Sequence, residues 1–199
     1  CVTRRQRQMC IRDREEADHE TLGGAVMHAT VSQTGEYFAE SDADGIRVAR
    51  DILDQFPPDA ATNLVPDQPV EQPLYPAEEL RGIVSEDKRI PYDMREVIAR
   101  VFDGSRFFEF EPVNDPHTVC GHAHIGGWRC GIITNNGPIT PQGAKKASQF
   151  LQLCDQTNTP MIFLQNTTGF LVGVEAEQAG QVKHLSLIHI SEPTRPSQI

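Results

Sequence analysis

The feature that most constrains the fold is a pair of β-rich segments joined by two consecutive glycines. The segments are Thr118–Ile125 and residues 128–134, and Gly126 and Gly127 lie between them. A two-residue loop of this kind closes a hairpin, because glycine adopts positive φ without strain. The sequence therefore predicts an antiparallel hairpin whose second strand ends at Asn135-Asn136-Gly137-Pro138.

A helix and a further strand follow the hairpin. Thr140 can cap a helix that has Pro141 at its first position, where proline is well tolerated. Its apolar stripe recurs at helical spacing and consists of Ala144, Ala147, Leu151 and Cys154. The apolar run Met161–Leu164 is typical of a strand buried on both faces. The order strand, strand, helix, strand predicts a repeating ββα unit in an α/β fold.

Earlier in the chain, a helix is predicted to begin at the N-cap Ser41 and to end before Pro57. Its apolar face comprises Ile46, Ala49, Ile52, Leu53 and Phe56. Six prolines between residues 57 and 76 indicate an extended connector, and hence a domain boundary, although an exposed loop within one domain would have the same composition. A short helix over residues 92–102, a turn at Asp103-Gly104 and a strand over residues 106–110 are predicted next.

Both ends of the chain look foreign to the rest. Residues 4–14 read RRQRQMCIRDR and residues 185–195 read LSLIHISEPTR, which are in-frame translations of the two halves of a transposase sequencing adapter. We therefore expect residues 1–14 and 185–199 to be adapter artefacts that do not pack natively. The alternative is a basic N-terminal arm and an amphipathic C-terminal strand.

Charge and composition exclude several classes of function. The net charge of −10 leaves no basic surplus for neutralising the phosphates of a nucleic acid. No apolar run approaches the roughly 18 residues that a membrane-spanning helix requires, and no signal peptide is evident. Between the foreign ends there are three irregularly spaced cysteines, Cys120, Cys130 and Cys154, which suggests reduced thiols in an intracellular protein.

One cluster of side chains has the composition of a zinc site. It contains His117, Cys120, His122, His124 and Cys130. On a strand, residues 120, 122 and 124 share one face while 117 points away, and no second paired motif completes a tetrahedron. We therefore expect structural histidines and thiols and no metal. No nucleophile elbow, phosphate loop or catalytic triad is evident either.

Several blocks together resemble one family. They are Leu22-Gly23-Gly24-Ala25 followed by His28, residues 95–100, residues 103–107, residues 131–137, residues 150–154 and residues 163–170. In this order and spacing they are similar to the carboxyltransferase (β) subunit of the biotin-dependent acyl-CoA carboxylases. The stretch Gln165-Asn166-Thr167-Thr168-Gly169-Phe170 resembles the 3-methylcrotonyl-CoA and geranyl-CoA branch.

The resemblance implies two crotonase-like domains, each a spiral of ββα units. Residues 15–56 would end the first domain, residues 57–89 would be the linker, and residues 90–184 would open the second. It also implies transfer of CO2 from carboxybiotin to an acyl-CoA in leucine or terpenoid breakdown. The partners would be a biotin-carrying biotin carboxylase α subunit and further β subunits, in a bacterial cytoplasm or a mitochondrial matrix.

The resemblance places both oxyanion holes outside residues 15–184, so no catalytic residue is expected and the chain should be inactive. The candidate substrate-binding residues are Asn135, Asn136, Gly137, Thr168, Gly169 and Phe170. Candidates for CoA phosphates are Arg95, Arg100 and Arg106, although carboxylates such as Asp93, Glu96 and Asp103 could pair with them instead. His122 and His124 depart from the family, which usually has Phe and Arg there. A crotonase-fold hydratase or decarboxylase that does not use biotin, or a non-catalytic scaffold, remains the alternative.

Overall fold

A four-stranded mixed sheet organises the chain. The computed structural model describes residues 18–56, 66, 68–85, 87, 90–167 and 169–191. The strands lie in the order β1 (Phe108–Phe110), β2 (Thr118–Ile125), β3 (Trp128–Asn135) and β4 (Met161–Leu164). The first two neighbouring pairs are antiparallel, and β3 and β4 are parallel.

Eight α-helices occur in the described ranges, and none of them is long and apolar enough to cross a membrane. They are α1 (His19–Gly23), α2 (Ala25–Thr30), α3 (Asp42–Leu53), α4 (Leu80–Ile83), α5 (Met94–Val101), α6 (Pro141–Gln156), α7 (Val174–Gln178) and α8 (Gln181–Ser191).

The predicted glycine hairpin is confirmed. Gly126 and Gly127 have φ of 60° and 79°, and Ile125 pairs with Trp128 across the turn. The carboxylate of Asp103 accepts hydrogen bonds from both glycine N–H groups, at 3.0 and 2.6 Å. The end of the hairpin is therefore fixed to the turn that follows α5.

The predicted ββα unit is also confirmed. Thr140 Oγ1 accepts a hydrogen bond from the Gly143 N–H at 2.9 Å and begins α6 with Pro141 in its first turn. The chain then enters β4 and pairs in parallel with β3. Parallel neighbours require a crossover connection, which α6 supplies.

The core lies on both faces of the sheet, because successive residues of a strand point to opposite sides. Val119 belongs to the cluster that packs against α5, whereas the adjacent Cys120 belongs to the cluster on α6. The α5 cluster contains Ile98, Phe102, Val119, Ala123, Cys130 and Ile132, and the α6 cluster contains Phe110, Cys120, Ala147, Phe150 and Cys154.

Helix α3 begins at the predicted cap Ser41, and its apolar face is open, with Ile46 57% and Leu53 67% exposed. The prediction that strand β4 is buried on both faces was wrong, since Phe163 is 42% exposed. The reason is that β4 is the last strand of the sheet in the described part of the chain.

The described part of the proline-rich segment runs along the second half of the chain. The Gln68 N–H donates to the Gly127 carbonyl at 3.3 Å, and the Leu74 N–H donates to Ser105 Oγ at 2.8 Å. None of the described residues of this segment belongs to either core cluster. Residues 57–65, 67, 86, 88 and 89 lie outside the described ranges.

The expectation that residues 185–199 do not pack was wrong for the part that is described. Helix α8 continues past His184, Ile188 packs against the α6 cluster, and Ser148 Oγ donates to the Leu187 carbonyl at 3.3 Å. An apolar segment covers an available apolar helix face whatever its origin. Residues 1–14 and 192–199 lie outside the described residues.

Candidate functional site

Two loops leave the sheet side by side at the carboxyl ends of the parallel strands β3 and β4. Thr134 and Leu164 are paired at these ends, and the residues that follow them are two of the groups singled out from the sequence. In open α/β sheets, ligands bind outside the carboxyl ends of the strands. This edge of the sheet is therefore the candidate site.

Hydrogen bonds connect the two loops. Thr167 Oγ1 donates to the Gly137 carbonyl at 3.1 Å. The Ile139 N–H donates to the Gly169 carbonyl at 3.0 Å, and the Leu171 N–H donates to the Ile139 carbonyl at 2.9 Å. Gly169 has a φ of 134°, which favours glycine. The structure thus brings Gly137 next to Gly169 and Phe170, while Thr168 lies outside the described residues.

A cavity of about 340 Å³ opens beside these loops. Three predicted site residues, Asn135, Gly169 and Phe170, line it. Its remaining lining is mostly apolar and consists of Thr118, Ile133, Ile139, Ala147, Phe163, Gln165, Thr167, Leu185 and Ile188. Apolar walls with a few polar groups are typical of small-molecule sites.

Asn136 is not among the residues that line this cavity, and it has a positioning role. Its Oδ1 accepts from the Met94 N–H at 2.8 Å, and its Nδ2 donates to Asp93 Oδ1 at 2.9 Å. Burial alone would raise the pKa of Asp93, but the hydrogen bonds from the Arg95 N–H and from Asn136 outweigh it and lower that pKa. Asn136 therefore holds the turn after β3 against the start of α5.

All three candidate arginines form ion pairs with carboxylates. Arg95 donates to Glu109 at 2.8 Å through Nε and also pairs with Asp93, and its pKa is raised chiefly by the hydrogen bond with Glu109. A CoA phosphate would have to compete with these carboxylates.

The other two arginines hold the proline-rich segment. Arg100 binds Glu79 at 2.7 Å and Glu96 at 2.8 Å, and its guanidinium lies 4.9 Å from the centre of the Tyr75 ring. Arg106 pairs with Glu71 at 2.5 Å. Glu71, Tyr75 and Glu79 all precede α5, so the sequence gives no local signal for these contacts.

The histidine and cysteine cluster is divided between the two faces of the sheet. Cys120 and Cys130 are free thiols in different core clusters, and burial raises the pKa of both, for Cys130 to about 12. Burial lowers the pKa of His122 to about 4. Among the described residues, no three His, Cys, Asp or Glu side chains are grouped closely enough to hold a metal ion.

The sequence matches the family described as "Carboxyl transferase domain" over residues 8–196. The chain belongs to the carboxyl transferase domain family. The matched range includes parts of both flanking segments that the sequence analysis assigned to adapters. The predicted resemblance is confirmed, and the mixed sheet with its helices is a piece of the crotonase-like carboxyl transferase fold.

Two curated relatives come from Mycobacterium tuberculosis. A probable biotin-dependent acyl-coenzyme A carboxylase beta2 subunit is 45% identical over 87% of this chain and 33% of its own length. A biotin-dependent 3-methylcrotonyl-coenzyme A carboxylase beta1 subunit is 39% identical over 83% of this chain and 31% of its own length. The carboxyl transferase chain thus spans about a third of the length of these relatives.

Two solved structures are similar to the chain. The geranyl-CoA carboxylase beta subunit of P. aeruginosa is 51% identical, with a TM-score of 0.60 over 88% of this chain and 34% of that one. The transcarboxylase 12S hexamer, with methylmalonyl-coenzyme A and methylmalonic acid bound, is 27% identical, with a TM-score of 0.84 over 93% of this chain and 37% of that one.

The buried charge of Lys146 in this carboxyl transferase chain was not predicted from the sequence. The side chain of Lys146 is fully buried, and its Nζ donates to the Asn114 carbonyl at 2.9 Å and lies 3.9 Å from Glu109 Oε1. Burial lowers the pKa of Lys146. A lysine on the buried side of a helix gives no signal in a hydrophobic pattern, because its type normally marks the solvent side.

Proposed function

We propose that the complete protein transfers CO2 from carboxybiotin to an acyl-CoA of the 3-methylcrotonyl or geranyl type. The observation that carries the proposal is the joined pair of loops at the carboxyl ends of β3 and β4, in a chain 51% identical to a geranyl-CoA carboxylase beta subunit. The printed names of the curated relatives, which are biotin-dependent carboxylases, support it further.

The chemistry explains why the sequence shows no catalytic triad. Carboxybiotin would supply CO2 when it is bound. The ureido anion left on biotin would take the proton from an acidic C–H of the acyl-CoA, and the resulting enolate would form the new C–C bond to CO2. The main demand on the protein is then to stabilise negative charge on the thioester enolate oxygen. Backbone N–H groups aimed at that oxygen suffice. We place both oxyanion holes outside residues 15–184, so the 199-residue chain should be inactive.

The residues at the sheet edge would then form walls of the substrate cleft. In the proposed roles, Asn135 and Gly137 face the CoA side, and Thr168, Gly169 and Phe170 begin the wall towards biotin. Asn136 contributes by fixing its turn to α5. Of the three candidate arginines, Arg106 has the most exposed side chain, at 60%. It follows the turn at Asp103 that binds Gly126 and Gly127, which lies at the opposite end of β3 from this cleft.

The organisation of the whole protein belongs to the same proposal. Residues 15–56 would end a first carboxyltransferase domain, residues 57–89 would link it to a second, and residues 90–184 would open the second. The partner would be a biotin carboxylase subunit that carries biotin, and β subunits would associate with one another. The compartment would be a bacterial cytoplasm or a mitochondrial matrix.

The test is a substrate panel with the full-length subunit and a biotinylated α subunit. The panel contains 3-methylcrotonyl-CoA, geranyl-CoA, propionyl-CoA and acetyl-CoA, and the readout is ATP-dependent fixation of labelled bicarbonate. We expect the branched enoyl substrates to be preferred and avidin to abolish fixation. Turnover that is independent of biotin would favour the crotonase-fold hydratase or decarboxylase instead, and a subunit that binds no acyl-CoA would favour the scaffold.

The assignment of residues 1–14 and 185–199 to adapters has its own test. It rests on the match of two separate strings to the two halves of one adapter. Amplification of the source DNA with primers inside residues 15–184, followed by outward sequencing, should read different codons at both ends. Recovery of the same codons would overturn the assignment.

A further inference from the structure

Thr167 is a polar side chain that joins the two loops at the carboxyl ends of β3 and β4. Its hydroxyl group lies within hydrogen-bond distance of the Gly137 carbonyl at 3.1 Å and of the Gly169 carbonyl at 3.0 Å. Its oxygen also accepts the Gly169 N–H at 3.1 Å. Thr167 lines the cavity of about 340 Å³ beside the loops. One hydroxyl group therefore contacts both loops where they border this cavity.

The hydroxyl group of Thr167 has one hydrogen and can accept at the same time. The Gly169 carbonyl already accepts the Ile139 N–H at 3.0 Å. A hydrogen directed to the Gly137 carbonyl adds a partner for the first loop, while the oxygen still accepts the Gly169 N–H of the second loop. The side chain thus acts as a donor to one loop and as an acceptor for the other.

The other described contacts between the loops are made further from the sheet, at Ile139. This residue bonds to the second loop through both its N–H and its carbonyl. The buried side chain of Gln181 supports the same carbonyl, since its Nε2 donates to it at 3.1 Å. Gly137 is closer to the end of β3 than Ile139. The hydroxyl group of Thr167 therefore sets the spacing of the loops near the strand ends.

We propose that Thr167 is a positioning residue for the transfer of CO2, because its hydroxyl group fixes the distance between two walls of the substrate cleft. The inference rests on the proposed function, in which Gly137 faces the CoA side and Gly169 the side towards biotin. Without the hydroxyl group, the Gly137 carbonyl and the Gly169 N–H lose their shared partner. The two substrates then meet less often in the reacting geometry, and a misplacement of about 1 Å can slow a reaction about a hundredfold.

A misplaced acyl-CoA has a specific consequence for carboxybiotin. When no enolate is within reach, the N–C bond to the carboxyl group can still break. The released CO2 then leaves as bicarbonate after addition of water, and the biotin nitrogen takes a proton from water. ATP used to make carboxybiotin is consumed without product, so the number of ATP molecules hydrolysed per CO2 fixed increases. With the β subunit in excess, this ratio does not depend on the fraction of β subunit that is folded.

The test uses the full-length subunit with a biotinylated α subunit, and 3-methylcrotonyl-CoA or geranyl-CoA. Thr167→Val replaces the hydroxyl group with a methyl group of similar size, and Thr167→Ser keeps the hydroxyl group. The control Thr157→Val loses a hydroxyl hydrogen bond of 2.9 Å to the Leu153 carbonyl, at the opposite end of α6 from the loops.

We expect kcat for carboxylation to fall about tenfold in Thr167→Val, the size of one hydrogen bond. The KM for the acyl-CoA should change much less, and the ratio of ATP hydrolysed to CO2 fixed should rise. Thr167→Ser and Thr157→Val should stay close to the wild type in all three quantities. An unchanged ratio in Thr167→Val would overturn the proposal, and so would a serine variant as impaired as the valine variant.

Hydrogen exchange of the full-length subunit tests the contact without any turnover. The Gly169 N–H should exchange about tenfold faster in Thr167→Val than in the wild type, because it loses its acceptor. Thr167→Ser should restore slow exchange, and equal exchange in all variants would overturn the proposal. A wild type that fixes no CO2 onto either acyl-CoA would overturn the proposed function and the role of Thr167 in transfer, even if the exchange result showed that Thr167 joins the loops.

Discussion

Replacement of His122 by Phe should remove a pH dependence from the stability of the chain. In the folded chain, burial lowers the pKa of His122 to about 4 from an ordinary 6.5. Between these two pH values the unfolded chain binds a proton that the folded chain does not bind. The free energy of unfolding therefore decreases as the pH falls from 6.5 to 4. A difference of 2.5 pKa units corresponds to about 3 kcal/mol.

The assay is urea unfolding followed by circular dichroism at pH values from 7 to 4. His122→Phe and His122→Leu both lack the titrating ring, so comparing them separates the proton effect from changes in packing. Each variant should gain stability relative to the wild type as the pH falls, by up to about 3 kcal/mol at pH 4. Carboxylates titrate in all three chains, so their contribution cancels when the free energy of unfolding of a variant is compared with that of the wild type at the same pH. Stability curves that remain parallel from pH 7 to 4 would refute the account of His122.

Three further substitutions test the contacts that hold the site. Asn136→Ala removes two hydrogen bonds and should lower the free energy of unfolding by about 1–3 kcal/mol, measured by urea unfolding. An unchanged midpoint of the urea unfolding curve would contradict the positioning role of Asn136. Gly143→Ala places a Cβ against Thr118 Oγ1 and Asp115 Oδ2, so it should lower the free energy of unfolding by about 1–3 kcal/mol despite the better helix propensity of alanine. A more stable variant would show that α6 can move away from β2. Arg100→Gln loses its ion pairs with Glu79 and Glu96. Trypsin should therefore cut within residues 57–89 faster in this variant than in the control variant Arg47→Gln. Equal cutting rates would show that Arg100 does not hold this segment.

Local signals account for what the sequence predicted well. The hairpin follows from two glycines that adopt positive φ, and α6 follows from a threonine cap and a proline in the first turn. Each of these signals acts within a few residues of the chain. The strand order and the parallel pairing of β3 and β4 were not among the sequence predictions, because pairing joins residues that are far apart in the chain.

Contacts between distant residues account for what the sequence did not predict. An amphipathic pattern identifies the apolar face of α3 but not whether another element covers it, and Ile46 is in fact 57% exposed. Arg100 and Arg106 pair with carboxylates of the proline-rich segment, whereas the carboxylates considered from the sequence were the nearby Asp93, Glu96 and Asp103. The role of Asn136 depends on Asp93, 43 residues earlier in the chain.

The most direct test of the proposed function is the transfer step by itself. An α subunit is first charged with labelled CO2 on its biotin and freed of ATP and bicarbonate, and the full-length protein is then added with 3-methylcrotonyl-CoA or geranyl-CoA. The account predicts that label moves to the acyl-CoA with the full-length protein and does not move with the 199-residue chain. Label that stays on biotin in the presence of the full-length protein and either acyl-CoA would contradict it.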